Sequence, residues 1–402
     1  MTKGYLHSSR KILLILLTWS SLFVLSGCWD RVEINDLAIV LAVGIDKIED
    51  DQIELTVQLA IPSQMGGGKQ QGSGSGGQGN KPTITKKASG TTIAEAASIL
   101  QQRVPRRIFW GHNEVIVFGK ELAGSGIREY VDFFAHHPEP RLRSFIFVSE
   151  EKASTVLEVI PNIEQSSSQF ARELARFQIG LKVTLKDLLK NISGESRAVA
   201  LPRLEYEFDN LNEKKGGLNI NGTAVFKGDK IEGYLSDKLT RGLLWVRNEV
   251  HLATVSFVPE NEERYMAFKL LRSNTQLHPE IKDGKWKMTI SITTEDDVIE
   301  NQTNMVLTDP KVVAELEKQL AGEIDERIEL TLKKVQTEMQ ADVLGFAKAF
   351  AQKYPDEWDQ VKGNWEEKFT EVEIEVTSKA YIRRLGMSTK PQGIPEKELN
   401  EE

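Results

Sequence analysis

Residues 309–339 read DPKVVAELEKQLAGEIDERIELTLKKVQTEM. Val313, Leu316, Leu320, Ile324, Ile328, Leu332, Val335 and Met339 recur along it at about 3.7 residues per turn, nearer a straight helix than the 3.5 of a left-handed coiled coil. Asp309 is placed to cap this helix, and Pro310 suits its first position. The period predicts a long helix lying on a sheet rather than zipping to a second helix. Strand patterns stand on both sides of it. Upstream, Trp286, Met288, Ile290 and Ile292 alternate with Lys287, Thr289 and Ser291; downstream, Val372, Ile374, Val376, Ala380 and Ile382 share a face opposite Glu371, Glu373 and Glu375. Further strands are expected at 250–258 and 266–271, and a hairpin at 218–235 across Gly228-Asp229. Residues 211–386 therefore read as a C-terminal domain: a largely antiparallel sheet packed by one long helix.

Toward the N-terminus, Leu37 to Asp46 (LAIVLAVGID) is a buried-type strand. Ile53, Leu55, Val57, Leu59 and Ile61 alternate after a turn at 49–52. A helix is expected at 91–103, with Thr92 as cap and Glu95 three residues on, as in a capping box. Strands at 114–118 and 144–148 flank a helix at 121–135, and a short helix ends before Pro161. Strands alternating with helices make 28–163 a mixed α/β domain. Short amphipathic helices and an extended segment containing Pro202 make 164–210 a small middle domain or connector. The expected fold class is α+β in about three domains, with a polar tail at 387–402.

Composition narrows the functions. Hydrophobic residues are 40% and charged residues 27%, ordinary for a globular protein. The formal net charge is −8, which argues against nucleic acid and against a polybasic grip on anionic lipid. The chain has one cysteine, Cys28.

That cysteine closes a three-part leader. Lys3, Arg10 and Lys11 form a basic start, Ile12 to Val24 an apolar run, and Leu25-Ser26-Gly27-Cys28 a small-residue cleavage site. The run is shorter than the roughly 20 apolar residues of a membrane-spanning helix. Leu-Ser-Gly-Cys is a lipobox. Residues 1–27 are expected to be a signal peptide cleaved between Gly27 and Cys28, with diacylglycerol on the Cys28 thiol. Two acyl chains suffice for stable anchoring, since each buried CH₂ contributes about 0.8 kcal/mol. Removing Lys3, Arg10 and Lys11 with the leader takes the net charge from −8 to −11.

Few residues invite catalytic chemistry. Residues 64–81 (QMGGGKQQGSGSGGQGNK) contain a formal GxGxxG at Gly72, Gly74 and Gly77, but no strand precedes it and no helix follows, so it reads as a flexible Gly/Ser loop. His136 and His137 are adjacent, hence on different faces of a helix, and suit a helix end better than a metal site with His112. Neither an H-E-x-x-H spacing nor a G-x-S-x-G elbow is present. The acidic runs Glu295-Asp296-Asp297, Glu262-Glu263 and Asp356-Glu357 read as solvated faces. KYPDEW (353–358) offers two readings, an exposed recognition motif or, favoured, a helix end followed by a new helix, with Trp358 and Trp365 in the core. No catalytic residue, metal ligand or cofactor is expected.

Two sets of motifs resemble a known family. From the lipobox the chain reads Gly27-Cys28-Trp29-Asp30-Arg31-Val32-Glu33-Ile34-Asn35-Asp36-Leu37, then Val43-Gly44-Ile45-Asp46. Near the C-terminus it reads Ala341-Asp342-Val343-Leu344-Gly345-Phe346, Lys353 to Trp358, Asn364-Trp365 and Ile382-Arg383-Arg384. This order resembles the Ger(x)C lipoproteins, the C subunits of germinant receptors in endospore-forming bacteria. The Gly/Ser tract at 64–81 departs from the pattern. The resemblance implies a non-enzymatic receptor subunit of about three mixed α/β domains, on the outer face of the spore inner membrane, partnered by two integral membrane subunits of A and B type. Cys28 is the one functional residue it carries over. The rival expectation is a solute-binding lipoprotein of a transporter, which would show two similar lobes around a cleft.

Overall fold

The computed structural model describes residues 33, 36–49, 51–61, 82–212 and 214–386. The leader, Gly27, Cys28, the tract at 64–81 and the tail at 387–402 lie outside the described residues. Two sheets organise the chain, and the α+β expectation holds.

The first sheet has ten strands: β1 (Leu37–Glu49), β2 (Gln52–Ala60), β3 (Thr83–Gly90), β4 (Arg107–Phe109), β5 (Val115–Phe118), β6 (Phe145–Ser149), β7 (Ile160–Pro161), β8 (Ala198–Asn210), β9 (Lys215–Lys227) and β10 (Lys230–Leu235). The order is β10-β9-β8-β6-β5-β1-β2-β3, with β4 on β1 and β7 on β9. The centre, β8-β6-β5-β1, is parallel, and an antiparallel ribbon extends each flank. Parallel strands need crossovers, and helices supply them on both faces. Ile116, Phe118, Ile146 and Val148 pack with α1 (Ile93–Arg103), α2 (Lys120–Ser125), α3 (Arg128–His136) and α6 (Leu185–Ile192). Val115, Val117 and Phe147 pack with α4 (Ala153–Glu158) and α5 (Ser167–Arg176). Covered on both sides, β5 is buried at every position, which is why Val-Ile-Val-Phe shows no alternation.

After α7 (Asp237–Val246) comes a four-stranded sheet, β11 (Thr254–Phe257), β12 (Met266–Lys282), β13 (Lys285–Asn301) and β14 (Glu373–Arg384), paired in that order. The pairs β11–β12 and β12–β13 are antiparallel, and β13–β14 is parallel. The crossover between β13 and β14 holds the long helix α8 (Pro310–Lys333), a π turn (Lys334–Glu338), α9 (Phe346–Lys353), α10 (Pro355–Val361) and α11 (Trp365–Glu371). Asp309 caps α8 by accepting from the Lys311 N–H at 2.8 Å, and Leu316, Leu320, Ile324, Ile328 and Leu332 are buried along its inner stripe. Apolar contacts run unbroken from Val43 and Phe118 through Trp245 to Ile290 and Phe350, so the two sheets share one core.

Several expectations are corrected. The hairpin at 218–235 belongs to the first sheet: β9 pairs along β8 from Lys227 opposite Ala198 to Lys215 opposite Asn210. That sheet runs without a break across 163 and 210, and Pro202 sits beside the register shift between Pro202 and Leu204, where its missing N–H is tolerated. The single helix expected at 121–135 is two helices. Gly126 has φ +127° and its N–H bonds back to Leu122 O, which ends the first. Strands β12 and β13 are each 17 residues, longer than expected, and meet at Asp283-Gly284, both at positive φ as a type I′ hairpin requires. Helix α8 lies on β14 but also meets α7: a Cβ on Gly242 would stand 2.2 Å from Thr331 Oγ1 and 2.6 Å from Arg327 O.

Candidate functional site

The residues of the quoted motifs turn out to hold helix ends. Asp46 closes Val-Gly-Ile-Asp at the end of the buried part of β1. Its carboxylate accepts from the Ala153 N–H at 2.7 Å and the Ser154 N–H at 2.9 Å, the orphan donors of the first turn of α4. Burial pushes this carboxyl up, and the two N–H groups pull it down. Gly44 allows the approach, since a Cβ there would stand 3.1 Å from Ala153 Cβ. Gly119, between β5 and α2, does the same: a Cβ would lie 2.1 Å from Asp46 Oδ1. Val-Gly-Ile-Asp thus clamps β1 to a crossover more than a hundred residues away.

Asp342 in Ala-Asp-Val-Leu-Gly-Phe is 3% exposed and holds the second sheet's crossover in the same way. Oδ1 accepts from the N–H groups of Leu344 (3.1 Å), Gly345 (3.0 Å) and Phe346 (3.2 Å); Oδ2 accepts from Ala347 N–H (2.6 Å) and Trp365 Nε1 (3.1 Å). One carboxylate therefore caps α9 and ties it to the head of α11. Gly345 at φ +92° makes the turn that aims these N–H groups inward. Trp365 packs at 5.0 Å from Trp358, 5.8 Å from Phe350 and 5.9 Å from Trp286 between ring centres. Lys-Tyr-Pro-Asp-Glu-Trp is a helix end at Lys353 and a helix start at Pro355, with Trp358 buried.

The other singled-out residues are spread apart. His136 is exposed beside Asp132 (3.1 Å), while His137 lies 5.2 Å from the Phe133 ring and 6.4 Å from Trp110. Among the described residues no cluster of three or more His, Cys, Asp or Glu is arranged to hold a metal ion. In the acidic run 295–297, Glu295 pairs with Arg272 (2.6 Å) and Arg383 (2.9 Å), and Asp297 with Arg384 (3.5 Å). Asp296 turns the other way, into the row of Trp286, Met288, Ile290 and Ile292, and is 1% exposed. Burial pushes it up to about 6, against the Thr294 hydroxyl that donates to it at 2.6 Å. It is not part of a solvated face. Asp356 and Glu357 sit in the first turn of α10.

Comparison with known proteins fits this arrangement. Residues 30–206 match the model described as spore germination protein N-terminal domain, and residues 221–386 match spore germination B3/GerAC like, C-terminal. The chain belongs to the GerAC family of spore germination proteins. The GerAC models part at 206–221, inside the β8–β9 hairpin. Similar proteins include spore germination protein KC of Bacillus subtilis (strain 168), 28% identical over 95% of this chain and 98% of that one. Spore germination protein YndF of the same organism is 25% identical over 90% and 93%. A crystal structure of the GerBC protein covers 85% of this chain and 96% of its own at TM-score 0.53 and 21% identity, a likeness of fold. Among the described residues no helix is long and apolar enough to cross a membrane.

The roles of Asp46 and Asp342 are absent from the sequence expectations. An Asp ahead of a turn and an apolar helix, as at 342–347, is a legible cap signal. The bond from Asp46 to α4 has no local signal, because its partners lie on another element.

Proposed function

We propose that this chain is the lipid-anchored, non-enzymatic C subunit of a nutrient germinant receptor, held on the outer face of the spore inner membrane by diacylglycerol on Cys28. Its partners are then two integral membrane subunits of A and B type, and its role in the germination response is to contact them. The observation that carries this reading is the family match beginning at residue 30, two residues after the lipobox cysteine. Support also comes from the motif carboxylates, which are spent on capping helices rather than on a reaction. Strand β1 begins at Leu37, so eight residues link it to Cys28. At roughly 3.3–3.6 Å per extended residue that tether spans under about 30 Å, which keeps the first sheet close to the bilayer.

Metabolic labelling with glycerol or fatty acid tests the anchor. Wild type should carry label and Cys28→Ala should not, with the signal peptide retained in the variant. Equal labelling of both would overturn the anchored reading.

A further inference from the structure

The junction of α7, α8, β11 and β12 holds an open cleft of about 470 Å³. Its charged lining is Lys238, Arg241, Lys269 and Arg327 against one carboxylate, Asp237. In a chain of net charge −8, four cations converging from three elements need a reason.

Their present partners are poorly placed. Arg241 Nε stands 3.7 Å from Asp237, Lys238 Nζ 3.5 Å from Glu326, and the Arg327 guanidinium 4.0 Å from Glu323. Pairs this long, with Lys238 and Glu326 both more than half exposed, contribute little. Arg241 spends one guanidinium N–H on the Leu252 carbonyl, which fixes its head at the cleft wall. Lys269 has no ion pair among the described residues, although Asp297 lies opposite it on β13 and pairs with Arg384. Arg327 Nε is buried with no acceptor among the described residues. A charged group short of a partner is costly, and an anion in the cleft would offset the Arg327 charge.

We propose that this cleft binds a phosphate group. Two guanidinium groups and two ammonium groups around one opening suit a multiply charged oxyanion, because Asp237 is the one carboxylate lining the cleft and Glu323 and Glu326 stand 4.0 and 3.5 Å from their partners. The phosphate could be carried by a soluble ion or by a lipid headgroup, and the recognition chemistry is the same for both. Bound there, it would bridge α7, which follows the first sheet, to α8 and the second sheet.

The test uses the full-length chain in neutral detergent, titrated calorimetrically with inorganic pyrophosphate and, separately, with short-chain phosphatidylglycerol. Saturable binding of either supports the site, and whichever binds identifies the source. Lys238→Glu with Lys269→Glu, both exposed positions, should weaken binding by about tenfold or more while the melting temperature stays near wild type. Arg327→Gln gives a second reading of the same contact and should weaken it as well. Absence of saturable binding for both probes overturns the proposal, as does binding that the folded double variant leaves unchanged.

Discussion

Asp342→Ala is the sharpest test of how the second sheet's crossover is held. The wild-type carboxylate accepts five hydrogen bonds, four from backbone N–H groups at the head of α9 and one from Trp365 Nε1. Alanine removes every acceptor at once. Leu344, Phe346, Ala347 and Trp365 are buried, so their donors cannot turn to bulk water. Each orphaned donor costs about 1–3 kcal/mol. Two effects offset this: the carboxyl's own desolvation, which pushes it above the ordinary carboxylate range, is relieved, and a water can enter the space. A net loss of about 4 kcal/mol is expected. For a body of about 350 residues each kcal/mol moves the melting temperature by roughly 1.4 °C, so the drop should be about 5–6 °C. Asp342→Asn is informative beside it. Asparagine keeps one acceptor oxygen for the three N–H groups on Oδ1 but turns an NH₂ toward Ala347 N–H and Trp365 Nε1, setting donor against donor. It should lose nearly as much as alanine. Thermal melts followed by tryptophan fluorescence provide the readout, since Trp286, Trp358 and Trp365 surround the site. A fall of less than about 3 °C in the alanine variant would refute the capping argument.

Asp296→Asn should stabilise the protein at neutral pH. The folded carboxyl titrates at about 6 against an ordinary value of 3.8, so ionising it in place opposes folding. The sign follows from proton linkage: the folded state holds this proton more tightly, so the penalty is absent below about pH 4 and complete above about pH 6, at up to roughly 3 kcal/mol. Melts at pH 5 and pH 8 should show a larger gain at pH 8, and an equal gain at both would contradict the assignment. Gly242→Ala should destabilise, although alanine favours a helix by about 1 kcal/mol, because its Cβ would collide with Arg327 O and Thr331 Oγ1 on α8. A denaturant midpoint at or above wild type would show that the two helices can part without cost.

Much of the second sheet was legible because its pattern is local. Trp286 to Ile292 alternates on β13, and the α8 stripe recurs along a single helix. The sheet membership of 198–235 was not legible, because β8 takes one partner from the adjacent hairpin and another, β6, from across three helices. A Gly at positive φ explains the break at 126, yet Gly124 lies two residues away with no such demand, and composition does not separate them. The candidate site divides in the same manner. The lipobox is a contiguous string, whereas the basic cleft draws Arg241, Lys269 and Arg327 from distant parts of the chain and leaves no linear signature.

The parallel partnership of β13 and β14 bears on how the protein tolerates shortening. Lys287 pairs with Glu373 and Ile290 with Val376, with all of α8 to α11 between the two strands. The strand that completes the second sheet is therefore the last element of the described chain. A stop codon between β13 and β14 would leave one whole margin of β13 without its ladder, presenting a row of free N–H and C=O groups next to Met288, Ile290 and Ile292. Such a product is a template for adding strands from its neighbours. Late truncations are thus a greater hazard for clumping than their small loss of mass suggests.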